Sequence, residues 1–209
     1  MKGLFYRLTR DLHLYLGLFV SPYVLVFAFS VFFLVHAWLP TAARSAKGPR
    51  EVSNLPIPAN LDQLSGRARI DALRPTLKAA KVAGEVGWIQ FSPNEHKLVI
   101  PVSVPGKNTI LTIDLDQHRG VVEEKVTGFA DAVVMLHKSP GPHLVGLRMN
   151  WGYMALWRWL ADGTVYLLLF STVSGLYLWL VIRPARKAGI FFLMAGAISF
   201  AGMIYALIH

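Results

Sequence analysis

Three long apolar runs constrain this chain more than any other feature. The first runs from Leu12 to about Trp38, the second from about Leu160 to Ile182, and the third from about Ala188 to Ile208. Each meets the roughly 20 residues that a helix needs to cross about 30 Å of hydrocarbon. Only 16% of the 209 residues are charged, whereas a soluble domain carries about 25%. Backbone polar groups in lipid must be satisfied within the element itself, so each run is expected to be a transmembrane helix. Pro22 interrupts the first run and removes one backbone donor. A neighbouring side chain must then take the freed carbonyl.

Lysine and arginine favour the cytoplasmic side of a span. Lys2, Arg7 and Arg10 precede the first run, and the turn RPARK between the second and third holds Arg183, Arg186 and Lys187 without an acid. The expected organisation is a basic cytoplasmic tail over 1–11, a span over 12–38, an extracytoplasmic segment over 39–156, a span over 157–182, a basic cytoplasmic turn over 183–187 and a span over 188–209. The first run is too long for a signal-peptide core and no small-x-small site follows closely, so an uncleaved anchor is expected. Net charge is +9, but the cations are scattered and no aromatic-and-basic motif accompanies them. That excess suits loops against anionic lipid and excludes nucleic acid as a partner. The chain has no cysteine. This removes disulfides, iron–sulfur clusters and covalently attached haem, and leaves histidine, methionine, tyrosine or carboxylate to hold any metal.

The segment between the first two spans has its own pattern. Residues 44–60 (RSAKGPREVSNLPIPAN) read as an extended linker. LDQLSGRARIDALRPTLKAA has helical spacing, interrupted at Pro75. The short runs VGWIQF, KLVIPVSV, TILTIDLD and GVVEEKV alternate like strands, separated by turn residues. A helix followed by four strands implies a small α+β module over about 60–127, whose limited core gains from docking on the spans. FADAVVMLHK predicts a short amphipathic helix over 129–138. NWGYMALWRWL then brings aromatic rings of the kind that collect at a membrane boundary. Met149 and Met154 there suit packing.

In this order the pieces resemble PepSY-associated transmembrane proteins of bacterial inner membranes. RLTRDLHLYLGLFVSPYVLVFAFS resembles that family's opening Arg-x-x-His-x-x-x-Gly segment, and TILTIDLDQHRGVV resembles the hairpin of the PepSY module. AVVMLHKS and WRWLADGTVYLLLFSTVSGLYLWL resemble its Leu-His element and its span ending Thr-Gly-Leu-Tyr-Leu-Trp. The resemblance implies a bundle of three transmembrane helices with a PepSY-like α+β domain in the periplasm, inserted between the first and second helices. Larger relatives include ferric-siderophore reductases with haem between their helices. Carried onto this chain, that implies b-type haem with His13, His36 and His137 as candidate ligands, in an electron-transfer or ferric-reductase component of iron uptake.

Spacing limits how those histidines can act. His13 and His36 are 36 − 13 = 23 residues apart, roughly 35 Å along a helix, so they cannot share one iron. His36 and His137 are expected to serve as the axial pair on the outer side, with His143 and His209 as further candidates there. His13 is the sole inner-side histidine, and a second ligand must come from another copy or another protein. A histidine at a span end also suits the headgroup layer, where water or phosphate satisfies it. His96 and His118 fall in turns and are expected to be solvated. Gly17, Ser21, Ser174 and Gly175 are small enough to let helices approach closely.

No hydrolase triad, phosphate loop, HExxH motif or nicotinamide or flavin fingerprint occurs. Any reductase role would therefore draw electrons from quinol or a redox partner. A membrane anchor whose module binds or restrains a periplasmic partner such as a protease is the alternative, as is an accessory subunit of a larger complex.

Overall fold

The computed structural model describes residues 2–36, 45–92, 95–139, 146–182 and 186–208. Arg183, His143 and His209 lie outside them. Three helices are long and apolar enough to cross a membrane: α1 (Lys2–Val35), α5 (Gly152–Val181) and α6 (Arg186–Ile208). Between α1 and α5 in the chain come strand β1 (Ser45–Val52), helices α2 (Gly66–Ala72) and α3 (Arg74–Ala79), strands β2 (Glu85–Val86), β3 (Gln90–Ser92), β4 (Lys97–Val104), β5 (Lys107–Asp114) and β6 (Arg119–Val126), and helix α4 (Phe129–Lys138). Residues 24–161 form one compact unit; residues 1–23 and 162–209 form another.

α1 begins well before the apolar run, so the expected tail over 1–11 is helical from Lys2 onward. The same helix carries Pro22 in its interior. Proline at 22 leaves the carbonyl of Leu18 without its usual donor, and the Ser21 hydroxyl donates to that carbonyl at 2.9 Å. Ser21 thus repairs the helix. An added Cβ at Gly17 would meet nothing within 4 Å among the described residues, so no helix approaches closely there. α5 likewise starts at Gly152, earlier than the expected span over 157–182.

The sheet is antiparallel and ordered β1-β6-β5-β4-β2, with β3 also on β4. Residues expected as a linker over 44–60 include β1, which pairs with β6 from Ser45–Val126 to Val52–Gly120. The register slips between Lys47 and Arg50, around Gly48 and Pro49. Proline cannot donate to a ladder, and an edge strand with a bulge is where a sheet tolerates it. The run VGWIQF forms two very short strands, β2 and β3, rather than one, and Pro75 splits the expected helix into α2 and α3.

Alternation decides the faces. Leu98, Ile100, Val102, Leu111, Ile113 and Val122 point to one side and are buried with Ile70, Leu73 and Leu77 from α2 and α3. The other side carries Val99, Pro101, Ile110, Thr112 and Val121, paired in register across β4, β5 and β6. Ile110 is exposed on that face.

Polar clamps finish this unit. Arg50 donates to the Ala80 carbonyl at 2.7 Å, and the Thr76 hydroxyl donates to the Pro56 carbonyl. Asn150 is the main tie to α5. Its buried side chain accepts from the Val86 amide at 2.9 Å and donates to the carbonyls of Val86 and Leu147 at 2.7 and 2.8 Å. The Glu85 carboxylate accepts from the amides of Asn150 and Trp151 at 3.2 and 2.9 Å. Those amides sit just ahead of α5, where orphan donors and the helix dipole favour an anion.

Candidate functional site

Two histidines, one on α1 and one on α4, make the same contact with a buried serine of a long helix. In the unit of residues 1–23 and 162–209, His13 on α1 places Nδ1 2.8 Å from the Ser174 hydroxyl on α5. That serine is buried and donates its only proton to the Phe170 carbonyl, one turn back, at 2.6 Å. The contact fixes the direction of the His13 ring through Nδ1 and leaves Nε2 for a metal. Gly175 matters here for its missing side chain: a Cβ would lie 3.3 Å from Cε1 of His13.

The unit of residues 24–161 repeats the device. His137 on α4 places Nδ1 2.8 Å from the hydroxyl of Ser30 on α1, which is fully buried and donates to the Phe27 carbonyl. The His137 ring is therefore also held through Nδ1. Phe27 stands edge-on to the imidazole, with ring centres 5.7 Å apart, and Trp157 of α5 lies 5.8 Å from Phe27. The Trp157 indole donates to the Leu136 carbonyl at 3.0 Å and so fixes the last turns of α4 against α5. In both cases a buried serine hydrogen-bonded at Nδ1 sets the ring direction, as outer hydrogen-bond partners do at metal-ligating histidines.

His36 is placed differently. It stacks on Phe32 with ring centres 4.5 Å apart, and Nδ1 lies 3.0 Å from the Phe32 carbonyl. It follows Ser30 by 36 − 30 = 6 residues, about 9 Å along a helix and roughly 120° around it. His137 meets the Ser30 face, so the expected partners His36 and His137 each engage a different side of α1. Among the described residues, no three or more histidines, aspartates and glutamates gather to hold a bare metal ion.

His96, His118, Met149 and Met154 serve local structure. His96 and His118 adopt left-handed backbone in the turns. His96 Nδ1 sits 3.1 Å from Asp116, whose carboxylate raises the pKa of the imidazole through the hydrogen bond and then through charge. Glu124 is held below the ordinary carboxylate range by Lys107, chiefly through their 3.2 Å hydrogen bond. Met154 is buried, and the Met149 sulfur accepts from Arg158 at 3.0 Å.

Ser30 and Asn150 are the residues that reading the sequence passed over. Ser30, the second of two serines in FVSPYVLVFAFSVFF, stands out only by polarity, and its use depends on a helix about a hundred residues later. Compared with models of protein families, with curated proteins and with solved structures, the chain finds no match.

Proposed function

We propose that this chain is a PepSY-associated multi-pass protein of a bacterial inner membrane that carries b-type haem through His13 and His137 and passes electrons in metal uptake. The observation that supports it most is the shared hydrogen-bond state of the two imidazoles. Each imidazole is held at Nδ1 by a buried serine of a long helix, which leaves Nε2 clear of that contact. Axial haem ligation needs a neutral imidazole with a free Nε2 lone pair and a fixed plane. The donor set fits that group.

Bound haem would supply reversible one-electron chemistry at iron. The chain's own contribution is to fix the direction of two imidazoles, with Phe27 edge-on to His137 and the glycine at 175 leaving His13 its space. Any further ligand would come from a second copy or another subunit, since His36 turns its ring onto Phe32. Orientation follows the basic residues: N-terminus in the cytoplasm, module in the periplasm. Electrons would come from quinol or a redox partner.

The test is the visible spectrum of the purified protein from haem-replete cells. A Soret band with reduced α and β peaks is expected, diminished in His13→Ala and again in His137→Ala. Ser30→Ala should keep the band but shift its midpoint potential, because His137 Nδ1 loses its hydrogen-bond partner. A colourless preparation that takes up no added hemin overturns the reading. A second reading, a membrane anchor that presents its module to a periplasmic partner, draws on the uncovered sheet face around Ile110. Substituting Ile110→Asp should then abolish capture of that partner and leave any spectrum unchanged.

A further inference from the structure

Among the described residues of the unit 1–23 and 162–209, His13 is the sole histidine. Its Nδ1 is taken by Ser174, which leaves Nε2 as its coordinating atom. The unit's two described methionines, Met194 and Met203, lie on α6, where no described residue is buried, so neither is packed against α1. A haem that only passes electrons keeps both axial positions filled, because an open position admits oxygen or another ligand. One copy of the chain therefore supplies half of an inner site.

The bilayer supplies the symmetry that completes it. Copies inserted by the same basic tail and turn share one orientation, so a two-fold axis relating them runs along the membrane normal. Every residue then lies at the depth of its mate, and an isologous contact on that axis sets His13 against the partner's His13. Another protein would have to bring a ligand to that depth independently. Two features of α1 suit the approach. Gly17 stands one turn beyond His13, about 6 Å along the helix and roughly 40° around it. An added Cβ there would meet nothing within 4 Å among the described residues, which leaves open helix surface beside the imidazole for a flat macrocycle. Arg10, nearly a turn before His13, is paired with Asp11 at 2.8 Å, so that turn brings no net charge against a like helix.

We propose that two copies of this chain share one b-type haem on a two-fold axis, each presenting His13 Nε2 to an opposite face of the iron. The inference rests on the haem reading above and goes beyond it in naming the second ligand. Full-length protein carrying His137→Ala, which removes the outer ligand, can be purified in dodecyl maltoside from haem-replete cells. Native mass spectrometry and the ferric spectrum then read the inner site. The expected species is two chains with one low-spin haem, a ratio of about 0.5 haem per chain. Adding His13→Ala to that background should bring the ratio near zero. A mixed pair of the two forms, isolated through two different tags, should hold its haem high-spin on one imidazole or lose it. Gly17→Leu leaves the Ser174 contact in place and fills the open surface, so it should lower haem retention several-fold. Haem at one per chain, low-spin haem in single chains, or unchanged retention in Gly17→Leu overturns the pairing and leaves haem binding standing. Low-spin haem in the mixed pair does the same and assigns the second ligand to another subunit. A colourless protein that takes up no added hemin overturns the haem reading itself, and the pairing with it.

Discussion

Leu111 and Ile113 of β5 are fully buried, whereas Ile198 and Phe200 of α6 are 66% and 63% exposed. The residue types are alike and their surroundings are opposite. In the sheet unit, alternate side chains leave water for a shared core, and polar groups such as Lys107 and Glu124 stay outside. In the long helices most apolar side chains face outward, and among the described residues the buried positions are Val20, Ser30, Met154, Thr164 and Ser174, three of them hydroxyl side chains. Hydrophobic burial is the driving force only where water is the alternative. Where lipid is the alternative, small and polar side chains join helices instead, through close approach and hydrogen bonds. One chain thus obeys two packing rules.

The contrast can be broken first in the core. Leu111→Ala should cost about 2–5 kcal/mol, by lost transfer energy plus a cavity. Ile198→Ala on α6 should change stability by less than about 1 kcal/mol. Denaturant melts of both variants in one detergent, followed by proteolysis of the module, measure the difference. Equal losses would mean that α6 is packed against protein.

Asn150→Ala comes next. It leaves the amide and carbonyl of Val86 unsatisfied in a buried place, at about 2–3 kcal/mol. The cost should appear as faster hydrogen exchange in β2 and at the start of α5, with β5 and β6 protected as before. Unchanged exchange at β2 would show that water replaces the clamp.

Ser30→Ala and Ser174→Ala test the rule for the long helices. Each removes one hydrogen bond between helices and should cost about 0.6–2 kcal/mol. Steric trapping or thermal melting in detergent reads this out. If neither variant changes the melting temperature, the serines orient the imidazoles without holding the helices.

The smallest expected effect is on pH. Lys107 depresses the carboxyl pKa of Glu124 in the folded state. Its contribution is complete above the ordinary carboxylate range and fades as pH falls through the lowered folded value. The pair is partly exposed, so under about 1 kcal/mol is at stake. Glu124→Gln should flatten the acid side of the stability profile by that amount, and an unchanged slope would remove the pair from the account.

Much of the fold was legible because it depends on short-range pattern. α4 occupies 129–138 as the apolar spacing of FADAVVMLHK implies, and β4, β5 and β6 fall on the alternating runs. β1 was hidden because SAKGPREV carries glycine, proline and three charges, a composition that reads as linker until β6 offers its free edge. The helical ends of α1 and α5 extend past the apolar runs because hydropathy marks the hydrocarbon and not the helix. Of the candidate site, His13 and His137 were visible as histidines in or near spans. Their serine partners lie 161 and 107 residues away in sequence, beyond any local signal.

By itself, the sequence determined which stretches avoid water and with what period, since hydropathy and side-chain alternation are properties of neighbours. Only the tertiary structure decided which serine holds each imidazole and why Pro22 does not open α1. Those outcomes depend on single donors and acceptors within about 3 Å of each other, and distances of that kind exist only once the chain has folded.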